Sequence, residues 1–252
     1  MKKFLFILAL VLACSFNTKT VYAQGLAGDS KIVEELTKLK IGYTTAVLNI
    51  RKKPNTDSKI LGQLQFNEKI EYTFYKKGWY TIEYKDETAY ISSKYVSDKK
   101  ADYTDYDLPK YGGFKSYEPY TVFGSSSNQG QLQNMAYTGT HGIRMVDGRY
   151  CVAVGTAVLK SGNVGSYIDL ILRNGTVIPA IIGDFKAVQH TDSRRLLTIV
   201  NPQNPCGSEF IVSSKDLDRT AKNRGDISYV NDEEWDSPVE TIRVYSKNIL
   251  GL

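Results

Sequence analysis

Asp184 stands where an apolar run gives way to a polar one. Thr176–Ile182 is apolar and β-branched, Gly183-Asp184 follows, and the next residues, FKAVQHTDSRR, carry Lys186, His190, Asp192 and Arg194. A carboxyl on an apolar floor suits proton transfer, because neighbours such as Ile181, Ile182 and Phe185 disfavour its charged form. The competing reading is a turn cap at a strand end. Nucleophilic chemistry has one candidate pair, Cys151 with His190. Cys151 lies inside YCVAV, a strand-like run with no polar neighbour to activate a thiol. C-x-x-C and H-x-x-x-H spacings are absent, and His141 and His190 are the only histidines. Neither a metal nor a cofactor is therefore expected.

The elements that must hold Asp184 are short strands between Arg149 and Val212. Asn174-Gly175 separates Tyr167–Leu172 from Thr176–Ile182, which is the signature of a tight hairpin. Both runs are apolar on both faces, so neither strand has a side in water, as in the wall of a small closed barrel. Strands near Tyr150, Tyr167, Thr176, Glu209 and Thr241, with one more in Thr156–Leu159, make six. Ser213, followed three residues later by Asp216, signals a helix start in KDLDRTAKNRG, and Gly225 signals its stop. This second domain spans 134–252.

The chain of 252 residues allows one large or two small domains. Residues 1–23 read as an export signal: Lys2 and Lys3, the apolar Phe4–Ala13, then a Val21-Tyr22-Ala23 cleavage site. A lipoprotein signal with lipid on Cys14 competes. The apolar run is too short for a stable membrane span, so none is expected in the mature chain. Removing Lys2, Lys3 and Lys19 takes the formal charge from +5 to +2, too little to imply a nucleic-acid partner. Residues 24–40 form a polar lead-in with a helical turn or two in KIVEELTKLK.

From 41 to 97 the texture is short alternating strands punctuated by Pro54-Asn55, Gly62, Lys77-Gly78 and Lys85-Asp86. LNIRKKPN, ILGQL, GWYTI and AYISSKYV together resemble the bacterial SH3-like domains of cell-wall proteins. The resemblance implies a small barrel that binds wall peptide or glycan and has no catalytic residues. Trp79, Tyr80, Tyr84 and Tyr90 are candidates for its groove, since aromatic faces suit such ligands. Trp79 and Tyr90 equally suit the barrel core. Residues 98–133, charged, Tyr-rich and then GSSSNQGQ, read as a linker.

The second domain resembles double-psi β-barrel domains, among them the three-Asp domains and the barrel of membrane-bound lytic transglycosylases. What carries this is a strand ending in Gly-Asp, a long loop, then a strand opening with an acid, SEFIV. The resemblance implies that Asp184 is the catalytic acid and that Glu209 is the second acid. The family's Ala-Asp-Thr-Gly-Gly reads IGDFKAVQ here, Glu209 replaces an aspartate, and Asp169 is the neighbour of a first acid without a clear role. The implied reaction is glycan cleavage by the sugar's own hydroxyl, with one carboxyl as acid and then base, unlike the two-carboxylate glycosidases. Lys186, His190, Asp192 and Arg194 become candidate substrate contacts.

The expected whole is mostly β: a small SH3-like barrel, then a six-stranded double-psi β-barrel with one short helix. The expected protein is secreted and associated with the cell wall, with peptidoglycan as partner. Two alternatives stay open, a non-catalytic glycan-binding wall protein and a cysteine wall peptidase. Cys151 and Cys206, left after signal removal, are candidates for one disulfide, and Cys151 alone also suits a buried strand position.

Overall fold

The computed structural model describes residues 38–199, 203–230 and 234–252. The signal segment 1–23, its Cys14 alternative and nearly all of the lead-in 24–40 lie outside them. The chain divides into two compact units, 1–98 and 99–252. Both are mostly β.

In the first unit, β1 (Lys40–Thr44), β2 (Leu48–Arg51), β3 (Ile60–Leu64), β4 (Lys69–Lys76), β5 (Trp79–Tyr84), β6 (Glu87–Ser92) and β7 (Val96–Ser97) follow one another. They hydrogen-bond in the order β3-β2-β6-β5-β4-β1-β7. Lys85 and Asp86 take φ of 53° and 62°, so the β5–β6 hairpin closes through two left-handed residues, the twist-matched two-residue turn. Leu48, Ile50, Ile70, Tyr72, Ile82, Ala89 and Ile91 fill the core. On each strand these are alternate residues, as a sheet with one buried face requires.

The second unit begins earlier than the sequence suggests. Residues 98–133, expected as a linker, contain β8 (Tyr103–Asp107), β9 (Ser116–Pro119) and α1 (Asn128–Met135). Lys115 shows how firmly this stretch is held. It is fully buried, and its Nζ donates to the carbonyls of Gly113, Trp235 and Ser237 at 2.8, 2.6 and 2.7 Å. Burial pulls its ammonium down to about 8, against the opposing pull of Asp226 and Asp236. Helix α1 starts at Ser127, whose side chain accepts from the Gly130 N–H at 3.0 Å, satisfying one of the free donors of the first turn.

Next come β10 (Tyr137–Thr138), β11 (Arg144–Val146), β12 (Arg149–Val154), β13 (Ser166–Leu172) and β14 (Val177–Phe185). The expected strand over Thr156–Leu159 is instead a 3-10 turn, Thr156–Lys160. β15 (Thr198–Ile199) and β16 (Pro205–Cys206) form a separate pair, followed by β17 (Glu209–Val212), α2 (Arg219–Arg224) and β18 (Val239–Asn248). The main sheet runs β10-β11-β12-β14-β13-β18-β8, and β17 joins it by pairing with both β12 and β9. The Asn174-Gly175 hairpin is present: β13 and β14 are antiparallel, and Gly175 takes the left-handed φ of 88°. Helix α2 is shorter than expected. Asp218 caps it, whereas Ser213 donates to Asp216 at 2.7 Å in the turn before.

β12 is the centre of this unit. It pairs in parallel with β14 on one side and antiparallel with β17 on the other. Val152 and Val154 point into a core shared with Ile168, Leu170, Ile182, Phe210, Val212 and Val244. Cys151 and Ala153 point the opposite way, Cys151 toward Gln133 of α1.

Candidate functional site

One irregularity creates the site. Along β12 and β14, Val152 pairs with Ile182, but the next pair is Ala153 with Asp184. Gly183 is therefore an extra residue, a β-bulge. In an unbroken strand Asp184 would share the face of Ile182 and enter the apolar core, where an unpaired carboxylate is prohibitively costly. The bulge turns it to the other face. Glycine suits this position, since a Cβ on residue 183 would lie 2.3 Å from Ile211 Cδ1 and would have to displace that side chain.

Ala153 also pairs with Glu209, and Glu209 pairs with Ser116 on β9. Asp184, Ala153, Glu209 and Ser116 thus form one row across four strands. Directly paired residues project to the same face, so the two acids flank the small Ala153, with their backbones about 10 Å apart. Alternation adds Lys186 from the end of β14 and Glu118 from β9.

Lys186 Nζ lies 2.7 Å from Glu118 Oε2 and 2.5 Å from Glu209 Oε2. All three side chains are largely buried, 13, 16 and 8 % exposed respectively. Burial alone lowers an ammonium's affinity for its proton, but Glu118 and Glu209 together outweigh this and raise Lys186. Burial raises the Glu118 carboxyl above the carboxylate range. Lys186 opposes that rise, and the charges of Asp184 and Glu209 add to it. Glu118 Oε1 is buried and has no hydrogen-bond partner among the described residues.

Asp184 has a different neighbour. Its Oδ1 accepts from Gln129 Nε2 of α1 at 2.9 Å. Arg144 fixes the far end of that helix. Its guanidinium donates to the Gln133 side chain and carbonyl, to the Ala136 carbonyl and to Thr138, and stacks over Tyr120 at 4.4 Å. These bonds satisfy carbonyls left open where a helix ends. The segment read as a linker therefore supplies two site residues, Gln129 and Glu118. The Ser127 cap was the only sequence signal for α1.

The expected substrate contacts separate. Lys186 belongs to the cluster, but its ammonium is committed to two carboxylates. Asp192 caps its own loop, accepting from the Leu196 and Leu197 N–H groups at 2.7 and 2.8 Å. Arg194 is exposed and 3.9 Å from Asp192, and His190 is exposed in a 3-10 turn. Asp169 serves the fold, pairing with the buried Arg149 and accepting from Tyr245 at 2.6 Å.

Cys151 occupies the buried strand position that its sequence suits, and the other cysteine expectations fail. Cys151 and Cys206 are free, buried thiols, Cys206 sitting 3.4 Å from Ser116 Oγ, so the expected disulfide is not formed. Burial pushes Cys151 up to about 12 and Cys206 up to about 11, which leaves Cys151 no nucleophilic thiolate for a peptidase. Among the described residues, no group of three or more His, Cys, Asp or Glu side chains is placed to hold a metal ion.

In the first unit, alternation splits the expected aromatic groove. Tyr80 and Tyr84 pack against the core, and Tyr80 stacks on Tyr72 at 4.3 Å. Trp79 lies on the outer face, in register with Ser92 and Lys76. Tyr90 is also outward, pairing with Thr81 and Arg51. Neither fills the core.

Residues 46–97 match the family of bacterial SH3 domains. The match covers β2 to β7 of the first unit and none of the second unit. Such a domain is consistent with a cell-wall binding role. No curated protein matches the chain. No helix among the described residues is long and apolar enough to cross a membrane.

Proposed function

We propose that this chain is an exported cell-wall protein whose bacterial SH3 unit holds it on peptidoglycan while its second unit cleaves glycan strands. One observation carries the catalytic part. A bulge at Gly183 turns Asp184 to the face that holds Glu209, Glu118 and Lys186, where like charges crowd. Burying two carboxylates on one lysine, with a third carboxyl on the same face, works against stability, and such arrangements concentrate at functional sites.

In this reading Asp184 is the acid and base. Gln129 occupies Oδ1, which leaves Oδ2 for the proton transfer. That proton passes to the glycosidic oxygen as the bond to the anomeric carbon breaks. The carboxylate then accepts the proton of the sugar hydroxyl that attacks the same carbon, leaving an intramolecular anhydro ring and the protonated acid. Glu209, held by Lys186, orients the sugar. The double-psi barrel architecture belongs to the same proposal. The parallel pairings of β12 with β14 and of β17 with β9 support it.

Incubating the full chain with purified, insoluble peptidoglycan tests both parts. Sedimentation reads binding, and mass spectra of the soluble fraction read chemistry. Binding without any released product would leave a wall-binding protein and end the catalytic reading.

A further inference from the structure

We infer that the outer face of the β4–β5–β6 sheet is a glycan-binding platform that recognises sugar rings rather than peptide. The inference rests on the wall-binding role proposed for this unit and names where and what it binds. On these strands the inward residues already close the core. Outward positions of a one-faced sheet are ordinarily polar. Here Tyr75, Trp79 and Tyr90 occupy three neighbouring outward positions instead.

The rings form one surface. Tyr75 meets Tyr90 edge to face, with centroids 4.9 Å apart, reaching across β5. Trp79 projects from β5 to the same face one step along, in register with Lys76 and Ser92 and diagonal to Tyr90. Tyr75 is 43 % exposed, and Trp79 and Tyr90 are half-buried. Alternation from Thr73 keeps Tyr75 on this side, and a bulge in β4 between Phe74 and Lys76 brings Lys76 opposite Trp79. The core does not need these rings, and their exposure works against solubility.

What surrounds the rings identifies the ligand. Thr73 and Thr81 stand beside them, their hydroxyls 2.9 Å apart, each with hydrogen-bonding capacity left for a third partner. Arg51 pairs in register with Tyr90, and Lys76 Nζ lies 5.9 Å from the Tyr75 ring centre. Apolar ring faces interleaved with hydroxyls suit a pyranose, which has C–H faces and equatorial hydroxyls. Arg51 and Lys76 favour sugars that carry a carboxylate. An extended peptide would instead seek a free sheet edge, and β5 is paired on both sides over this face.

The test uses the full chain as wild type, Trp79→Ala and Tyr75→Ala. Each is measured against intact peptidoglycan, peptide-free glycan strands and free stem peptide. The expected result is binding to intact wall and to peptide-free glycan, weakened at least about ten-fold in Trp79→Ala, as for a central aromatic anchor. Both variants keep the wild-type melting temperature, because neither ring is in the core. The exposed Tyr75 provides the second variant should Trp79→Ala fold poorly. Undiminished binding by both variants overturns the platform while leaving wall binding intact. Binding of stem peptide but not peptide-free glycan overturns the ligand class. Failure of the wild type to sediment with intact wall overturns the wall-binding role and this inference with it.

Discussion

Replacing Lys186 with methionine tests whether the carboxylate cluster is electrostatically loaded. The methionine keeps an unbranched apolar stem but leaves Glu118 and Glu209 facing each other without a cation. Removing one partner of a buried ion pair costs about 3–5 kcal/mol. The pair here is 8–16 % exposed, which places the expected cost near the low end, about 3 kcal/mol at pH 7.5. For a domain of this size, 1 kcal/mol moves the melting temperature by about 2–4 °C, so the expected loss is roughly 6–12 °C. The pH dependence identifies the cause. Burial already raises Glu118 above its ordinary 4.5, and without Lys186 nothing opposes that rise. A carboxyl raised on folding contributes stability below its unfolded value, and that contribution is lost as pH climbs through the folded value. The variant should therefore recover toward pH 5, and its gap from the wild type should narrow. Lys186 itself is raised, so in the wild type its contribution is complete below about 10.5 and constant over this range. Differential scanning calorimetry at pH 5 and 7.5 reads both. An equal gap at the two pH values would refute the loaded cluster.

Two other substitutions probe what positions the site. Gly183→Ala forces a Cβ against Ile211 Cδ1, and overpacking of this kind costs about 1–3 kcal/mol. It should displace Asp184, so that any glycan cleavage falls far more than the melting temperature does. Unchanged product release would show that the bulge is incidental. Lys115→Met removes three hydrogen bonds to carbonyls and should cost about 3 kcal/mol, at roughly 1 per lost hydrogen bond. Urea denaturation reads it, and a loss below about 0.5 kcal/mol would mean that residues 113–115 are not anchored as described.

The parts legible in the sequence were those with local causes. The β13–β14 hairpin followed from Asn174-Gly175, and the SH3 strands followed from alternation between turn residues. Asp184 was picked out by the Gly-Asp step after an apolar strand. What was hidden depended on contacts distant in sequence. Lys115 looks like a solvated charge in a Tyr-rich, Gly-rich stretch, yet it binds carbonyls about 120 residues away. With that stretch read as a linker, Glu118 and Gln129 could not be found. Helix α1 was obscured by its flank, since the run from Gly124 to Gly130 is rich in serine and glycine, although Ser127 was a legitimate cap. Tyr80 and Tyr84 were grouped with Trp79 by residue type, whereas period-two alternation sends them to the opposite face. Asp192 and His190 were joined to Asp184 by proximity in the chain. The loop instead folds on itself, with the Asp192 carboxylate accepting from Leu196 and Leu197.

The most direct measurement of the catalytic claim compares wild type with Asp184→Asn on purified peptidoglycan, reading released fragments by mass spectrometry. Asparagine keeps the size of the side chain and an oxygen for Gln129 but cannot carry the proton. Acid–base contributions run to about 10²–10⁴ in rate, enough to resolve in an endpoint digest. The expected result is anhydro-sugar ends from the wild type and none from Asp184→Asn, with equal sedimentation of the two proteins on the wall. Equal release by both, or no release by the wild type, would contradict it.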